Sequence, residues 1–215
     1  MTVAVIRSGT NAEEQNRAEI LKAAAIAFMR KGYSAASIDD VADLMNATKG
    51  RVYHYYRSKA DLFFDVHFEA MRLDLDVVRP LAASGGDPLQ RLHAMAVAHI
   101  LIIMTQLPFQ RVAVQGLEMH LAGQTTPEQR SLLARILELR DEYQALFAGP
   151  IEEALQAGLI PQQDTRTVVK AFFGALNWTT IWYRPGPEET PERQQAMAEE
   201  IATFAIRGLG SKSHG

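Results

Sequence analysis

Residues 48 to 59, TKGRVYHYYRSK, concentrate basic and aromatic side chains in a chain whose formal net charge is −3. Lys49, Arg51, Arg57 and Lys59 alternate there with one histidine and three tyrosines. Cations neutralise backbone phosphates, and Arg, Lys and Tyr donate hydrogen bonds to phosphates and base edges. The pattern favours a surface that contacts an anion, with nucleic acid the commonest candidate. A solvated polar helix is the alternative interpretation.

The charge of the whole chain is divided in the same way. Residues 1–60 contain nine Lys/Arg and six Asp/Glu, whereas residues 61–215 contain thirteen and nineteen. A basic N-terminal quarter on an acidic body favours an anionic partner for the N-terminal part.

Short helices are predicted to position the basic segment. Ser37 is an N-cap candidate with Asp40 three residues later, which is a capping-box pattern. That helix ends at the sequence NAT, where Asn46 tolerates the left-handed backbone of a tight turn. A second short helix is predicted from about Thr48 to Tyr56.

Two short helices joined by a three-residue turn and braced by a preceding helix form a helix-turn-helix. In the second helix Val52 and Tyr56 are expected to face inward, so that the other side chains are left for the major groove. Gly50 costs ~1 kcal/mol relative to alanine in an exposed helix, and its expected use is close backbone approach to DNA. Thr48, near the helix N-terminus, suits a phosphate contact.

The remaining sequence predicts an all-α protein without strands or repeats. Two domains are expected, a helix-turn-helix domain over residues 13–59 and a helical ligand-binding and dimerisation domain over residues 60–208. The nine predicted helices span about 13–32, 37–45, 48–56, 58–80, 88–106, 109–122, 127–157, 164–183 and 191–207.

Several classes of protein are excluded or disfavoured. There are no cysteines, so no disulfide framework or thiolate metal site is possible. The start of the chain does not resemble a signal peptide, and the apolar stretch 94–104 is too short to span a bilayer, which predicts a soluble cytoplasmic protein. No nucleophile elbow, metalloprotease motif or phosphate loop is present, so an enzyme, a metal site and a cofactor are not expected.

The stretch SIDDVADLMNATKGRVYHYYRSKADLF resembles the DNA-binding segment of TetR/AcrR-family transcriptional regulators. The resemblance rests on Tyr53, Tyr56, Lys59 and Leu62 at the family's spacing. Asn46 stands where the family usually has Gly, and Arg51 replaces a residue that is commonly small, so a different operator is expected. The resemblance implies base contacts by Lys49, Gly50, Arg51 and Tyr53, phosphate contacts by Ser37, Thr48, His54 and Lys59, and either role for Tyr55.

The same resemblance implies a homodimer with a ligand cavity in the body. The stretches HILIIM and FFGALNWTTIWY are apolar nearly all round, so their helices must be buried on more than one side. In the family the last two helices form the dimer interface. The expected interface residues are Phe172, Leu176, Thr179, Tyr183, Met197, Ile201 and Phe204, with the core of one subunit as the alternative for each.

The stretch NWTTIWYRPG, residues 177–186, resembles the end of helix eight in a TetR subgroup that represses steroid and fatty-acid catabolism. Effectors of that subgroup are acyl-CoA thioesters, and the resemblance implies that Trp178 lines the cavity. An arginine that holds the ligand there is replaced by Gly174. Both an acyl-CoA and a bulkier apolar effector therefore remain open.

Polar residues within apolar stretches are the other candidates for the cavity, although each could instead be a satisfied core or surface group. Arg111, if it points inward, is expected to pair with an anionic ligand or with Glu118, because an isolated buried cation is unstable. Met71 and His67 lie on the helix that leads to the DNA-binding segment. The candidates are His67, Met71, His99, Arg111, Gln115 and His120.

The sequence therefore predicts a homodimeric, sequence-specific DNA-binding regulator, a repressor that a hydrophobic small-molecule effector releases from a palindromic operator. A protein of the same fold that acts as an architectural or protein-partner DNA binder, without a small effector, is the alternative. No membrane partner is expected.

Overall fold

A computed structural model of the chain describes residues 11–121 and 126–210, and the side chains of residues 12–115 and 126–210. Every regular element in this part of the chain is a helix. The helices are α1 (Asn11–Ala35), α2 (Ile38–Leu44), α3 (Lys49–Tyr55), α4 (Lys59–Ala82), α5 (Pro88–Thr105), α6 (Leu107–Leu121), α7 (Pro127–Gln156), α8 (Thr165–Asn177), α9 (Thr179–Trp182) and α10 (Pro191–Gly208).

The predicted all-helical class is confirmed, and the predicted count of nine differs from these ten only at Trp178. That residue separates α8 from the single turn α9, whereas the sequence predicts one helix through Tyr183. Helix α4 continues past Pro80 to Ala82, because a proline in the last turn removes only one backbone hydrogen bond.

Helix ends follow the local sequence closely. Ser37 and Asp40 form both hydrogen bonds of a capping box, and Asp87 caps α5 with Pro88 at its first position. Asn46 has a φ angle of 50°, the left-handed region expected at this turn, and Gly32, at a kink in α1, has a positive φ of 73°. The capping residues and the turn at Asn46 therefore fix the relative directions of α1, α2 and α3.

The apolar side chains form two clusters that share α4. The head core contains residues from α1 to α3 and the first part of α4, joined by Phe109 and Val112 of α6 and by two residues of α7. The body core contains the second part of α4, from Met71 onward, with α5, α7, α8 and α10. Packing therefore crosses the predicted boundary between residues 59 and 60, which remains a prediction.

Polar contacts fasten the start of α4 to α1. Arg17 of α1 donates from Nε and Nη2 to the Asp65 carboxylate, with Nη2 2.7 Å from Oδ1, and the Tyr56 hydroxyl donates to Asp65 as well. The Lys59 ammonium lies 2.8, 3.2 and 3.0 Å from the carbonyl oxygens of Tyr33, Ser34 and Ala36. Both sets of contacts join the first turns of α4 to α1.

Helix α5 is long and apolar enough, by composition alone, to cross a membrane. In the described structure it packs against α4, α7, α8 and α10, and eight of its residues are buried. We therefore interpret it as the central helix of the body core.

Lys59→Ala should destabilise the protein by about 2 kcal/mol, because the lost ammonium leaves three carbonyls near the end of α1 without their donor. Denaturation in urea would measure the change in the free energy of unfolding. Lys49→Ala is the matched control, since Lys49 lies 3.7 Å from Asp39 and both side chains are 65% exposed. Such a surface pair contributes little. Equal unfolding free energies for Lys59→Ala and the wild type would contradict this role.

Candidate nucleic-acid interface and ligand cavity

Helix α3 presents one face to solvent and buries the other. Val52 and Tyr56 are 0% and 6% exposed, as the helix-turn-helix interpretation requires, whereas Tyr53 is 51% exposed. Lys49 and His54 are also exposed, and Thr48 is the N-cap residue but makes no side-chain capping bond. The polar groups of this face are therefore available to a partner.

Gly50 is not required by the fold. Its φ angle lies outside the left-handed region, and an added Cβ would meet only the Thr48 hydroxyl at 3.7 Å, which is an ordinary contact. Close approach of another molecule to the backbone of α3 remains the predicted reason for this glycine.

Arg51 is held by α1. Its Nη2 donates to the Asn16 side-chain oxygen and, at 2.6 Å, to Glu19. Both two-donor edges of a guanidinium include Nη2, so Arg51 must leave one of these partners before it can bind a guanine with two hydrogen bonds. Its Nε and Nη1 donors make no hydrogen bond with the described residues.

Three other candidates for DNA contact are engaged within the protomer. The Ser37 hydroxyl exchanges hydrogen bonds with Asp40, and Lys31 and Ser37 together lower the pKa of that carboxyl to about 2. The Lys59 ammonium directs its hydrogens to the three carbonyls near the end of α1, while Tyr55 is half-buried against the head core. Phosphate contacts by Ser37 and Lys59 remain predictions, and they would require these bonds to rearrange.

A cavity of about 400 Å³ lies in the body between α4, α5, α6, α7, α8 and α9. Its lining combines apolar side chains with ionisable and amide groups. It is lined by Met71, Asp74, His99, Gln110, Ala113, Val114, Arg140, Tyr143, Gln144, Lys170, Phe173, Gly174, Asn177 and Thr180.

Three of the sequence candidates line this cavity, namely Met71, His99 and Gly174. His99 is 3% exposed, and burial lowers the pKa of its imidazole to about 4. Its Nε2 faces the Asn177 oxygen and its Nδ1 faces the Tyr143 hydroxyl, both at 2.9 Å. Because an amide oxygen only accepts, Nε2 carries the proton and Nδ1 accepts from Tyr143. His99 therefore orients two neighbouring polar groups of the wall.

His67 and Gln115 do not line the cavity. His67 is 1% exposed, and burial together with the charge of Arg140 lowers the pKa of its imidazole to about 4. Its ring hydrogen-bonds the backbone of Ala113, which joins α4 to α6. Gln115 donates to the Phe28 carbonyl at 3.1 Å and so joins α6 to α1. Both residues join α6 to the helices of the head core.

Arg111 and Trp178 also lie outside the cavity. Arg111 donates to the backbone carbonyls of Thr180 and Tyr183 at 2.9 and 2.8 Å, so carbonyl groups of α9 replace the expected anionic partner. Trp178 is 62% exposed, on the outer face that α8 and α9 share. The side chains of Glu118 and His120 lie outside the described residues.

Sequence reasoning missed Asp74, Gln110 and Arg140. Asp74 was detectable, because it lies on the buried stripe of α4 at helical spacing from Met71 and Val78. Gln110 is buried and donates to Asp74 Oδ1 at 2.6 Å. Arg140 belongs to a largely exposed, highly charged helix, so nothing in its sequence context distinguishes it.

Asp74 is the buried carboxyl of the cavity wall, 4% exposed. Burial raises the pKa of Asp74 to about 7, against the opposing effects of the Gln110 hydrogen bond and the Arg140 charge. Part of the population is therefore neutral near pH 7 and can either donate or accept a hydrogen bond. Among the described residues no group of three or more His, Asp or Glu could hold a metal ion.

The surface of the last helices carries exposed apolar residues. Ala171, Ala175, Trp178 and Trp182 recur at helical spacing along α8 and α9, and Phe204 of α10 lies beside the first two. Phe204 is 72% exposed and Trp182 43%. Four of the expected interface residues are instead buried within the protomer, as the alternative interpretation has it. They are Phe172, Leu176, Thr179 and Tyr183.

Comparison with known families assigns both parts of the chain. The family profile "Tetracyclin repressor-like, C-terminal domain" matches residues 85–209. The profile "Bacterial regulatory proteins, tetR family" matches residues 20–66. The chain belongs to the TetR family. This TetR-family protein is a helix-turn-helix DNA-binding transcriptional regulator and not an enzyme.

Relatives cover nearly its whole length. It is 26% identical over 208 residues to the HTH-type transcriptional repressor KstR2 of Rhodococcus jostii, covering 94% of this chain and 95% of the relative. It is also 26% identical to KstR2 of Mycobacterium tuberculosis, with 90% and 92% coverage.

Solved structures show the same fold. AibR in complex with isovaleryl coenzyme A and operator DNA superposes with a TM-score of 0.72 and 25% identity, covering 90% of this chain and 97% of AibR. The ketosteroid transcriptional regulator KstR2 of Mycobacterium tuberculosis superposes with a TM-score of 0.77 and 22% identity, covering 95% and 98%. At 22% identity, the similarity to the KstR2 structure shows only that the two proteins share a fold.

Gly50→Ala in this TetR-family regulator should separate stability from DNA binding. Alanine should raise the free energy of unfolding by up to about 1 kcal/mol, since no described contact opposes its methyl group. The same methyl group should weaken binding to DNA selected by the wild type, by about 1–3 kcal/mol, the range of one good base contact. Thermal denaturation and fluorescence anisotropy measure the two effects.

Gly149→Ala, in α7, is the control for this substitution, because its added Cβ meets nothing within 4 Å and it lies far from α3 in the chain. It should leave DNA affinity unchanged. Unchanged DNA affinity in Gly50→Ala would show that α3 is not approached closely at this position.

Proposed function

We propose that the regulator is a homodimeric cytoplasmic repressor that binds a palindromic operator through α2 and α3. A small, largely apolar effector in the cavity beside α4 releases it. The observation that carries the proposal is that one helix, α4, is fastened to the DNA-binding head at one end and lines the cavity further along.

The exposed face of α3 supports the DNA half of this proposal. Lys49, Tyr53 and His54 project from it, and Gly50 allows the backbone to come near. Two such helices related by a two-fold axis would present the same surface to two half-sites about 34–36 Å apart, or a multiple of that distance. The operator is therefore a pseudo-palindrome.

The apolar surface on α8, α9 and α10 supports the dimer. Exposed tryptophan and phenylalanine side chains on one surface are typical of a protein interface. Their position on the last helices agrees with the interface implied by family resemblance. Trp178 therefore contacts the partner protomer rather than the effector.

The relatives support a small effector. AibR has been solved with isovaleryl coenzyme A, and the KstR2 proteins are named as repressors, one of them as a ketosteroid regulator. Gly174 lines the cavity with nothing within 4 Å of an added Cβ, so the wall is open at that position. The space at Gly174 is compatible with the acyl part of an acyl-CoA or with a bulkier apolar acid. A cavity of this size also disfavours a purely architectural DNA binder.

The proposed switch acts through α4. An effector that contacts Met71 changes the position of α4, which carries α1 through Lys59 and Arg17. The separation of the two recognition helices then no longer matches the DNA. Only an effector with different affinities for the two arrangements can act in this way, and a shift from about 1:99 to 99:1 requires about 5.5 kcal/mol.

Arg51→Ala should reduce the preference for operator over random DNA by about 1–3 kcal/mol, if its guanidinium leaves Glu19 to bind a base. Anisotropy titrations with DNA selected by the wild type, and with a scrambled duplex, measure this preference. Lys49→Ala, if it removes a phosphate contact, should instead weaken binding to both duplexes. It should also lower the slope of log affinity against log salt concentration by about one.

Glu19→Gln identifies the origin of that effect. A neutral partner holds Arg51 less strongly, so operator affinity should rise, and the rise should disappear when Arg51→Ala is also present. If Arg51→Ala lowered the affinity for both duplexes equally, the base-reading role would be contradicted.

Phe204→Glu should yield monomers with little operator affinity, because it places a carboxylate in the proposed apolar interface. Phe204 is 72% exposed, so the protomer itself should still fold. Val77→Glu, at an exposed apolar site on α4, is the control. Light scattering and operator titration would test both variants. A monomeric Phe204→Glu protein with normal operator affinity would contradict the dimeric mode of binding.

A further inference from the structure

Two side chains of opposite charge line the cavity without pairing. Asp74 projects from α4 and Arg140 from α7. The charge of Arg140 lowers the pKa of Asp74, so the two groups are near each other, yet they form no ion pair among the described residues. Buried or half-buried charges usually have a partner, because desolvation is unfavourable for each of them. Both groups can therefore still pair with a polar or charged group of a ligand in the cavity.

The Asp74 side of the cavity is suited to a neutral oxygen. Oδ1 accepts from Gln110, while Oδ2 makes no hydrogen bond with a described residue. A carboxyl that is 4% exposed and loses a proton near neutral pH can donate to a carbonyl or accept from a hydroxyl. Asn177, oriented by His99, has its amide nitrogen available on the same wall.

The Arg140 side is suited to an anion. Arg140 is half-buried, and its guanidinium makes no hydrogen bond with any described residue. Burial lowers the pKa of Arg140, against the opposing effects of the charges of Asp141 and Asp74. The exposed Lys170 lies on the cavity rim and adds a second cation. A carboxylate binds a guanidinium through two hydrogen bonds, so an acid group fits here.

We propose that the cavity takes an oxygenated acid, which has an apolar body, an anionic end and a hydroxyl or carbonyl oxygen. The anionic end, a carboxylate or an anionic group joined through a thioester, binds Arg140. The hydroxyl or carbonyl oxygen binds Asp74 and Gln110. The proposal rests on the function proposed above and specifies the effector class. A plain fatty acid would leave Asp74 Oδ2 without a hydrogen bond, and a neutral alcohol would leave Arg140 without an anionic partner. The pair therefore discriminates between these classes by hydrogen bonds rather than by size.

The position of Asp74 also connects recognition to release. Asp74 lies on α4, one turn beyond Met71 and on the same buried stripe. An effector that hydrogen-bonds to Asp74 therefore contacts α4 directly, and α4 is the helix that is fastened to the DNA-binding head. An oxygenated acid should therefore release the operator at lower concentration than a plain acid of the same length.

Three matched series of probes test the proposal by calorimetry. The first contains 6-hydroxyhexanoate, 8-hydroxyoctanoate and 10-hydroxydecanoate, so that several spacings between acid and hydroxyl are sampled. The second contains hexanoate, octanoate and decanoate, and the third the 1-alkanols of the same lengths. At the best length the wild type should bind the hydroxy acid about tenfold more tightly than the plain acid.

Two substitutions separate the two ends of the probe. Asp74→Leu should abolish the preference for the hydroxy acid while it retains binding of the plain acid. Arg140→Met should abolish the preference for either acid over the alkanol. Asp74→Asn, which retains hydrogen-bonding capacity, should keep most of the hydroxyl preference and controls for folding if Asp74→Leu is unstable.

The outcomes separate this proposal from the function on which it rests. Operator binding by the wild type is measured first, without a probe, and its absence would overturn the proposed function. Normal operator binding with equal affinity for hydroxy and plain acids would overturn the oxygenated-acid proposal alone. So would a hydroxyl preference that survives Asp74→Leu, or the absence of binding of every hydroxy acid at millimolar concentration.

Discussion

The fastening of α4 to α1 is the contact on which the rest of the structure depends. The Lys59 ammonium binds three carbonyls near the end of α1, and Arg17 binds Asp65 one and a half turns further along α4. Without these contacts α4 would be an ordinary core helix, and its displacement would not reach the recognition helix α3. With them, the head follows α4 as one body. The same helix then enters a second core, where its inner face borders a cavity.

The cavity differs from an apolar core by its unused polar capacity. A core of the same volume would be filled with side chains, because interiors pack densely. Here Asp74 and Arg140 influence each other electrostatically but form no ion pair in the described structure. His99 orients Tyr143 and Asn177. Such an arrangement is unfavourable when it is empty and favourable when a ligand with complementary groups is present. This is the condition under which ligand binding can move an equilibrium between two conformations.

The sequence was informative where local chemistry decides the structure. The cap at Ser37, the turn at Asn46 and the periodicity of α3 predict the helix-turn-helix, because each depends on neighbouring residues. Positions that depend on tertiary packing were harder. Trp178 was assigned to the cavity, but it lies on the outer face of the last helices and is exposed. Arg111 was expected to need an anion, but it binds carbonyls of α9, which no local pattern predicts.

The most direct test of the central claim is the distance between the two recognition helices of the dimer. The chain has no cysteine, so Lys22→Cys provides a single labelling site on an exposed position of α1, outside the predicted DNA contacts. Pulsed electron spin resonance would measure the distance between the two labels of the dimer with operator DNA, without ligand, and with the best-bound hydroxy acid. We expect one narrow label distance on DNA, where the recognition helices must be about 34–36 Å or a multiple apart, and a shifted label distance with ligand. An unchanged distance distribution in the presence of a bound ligand that releases the operator would contradict it.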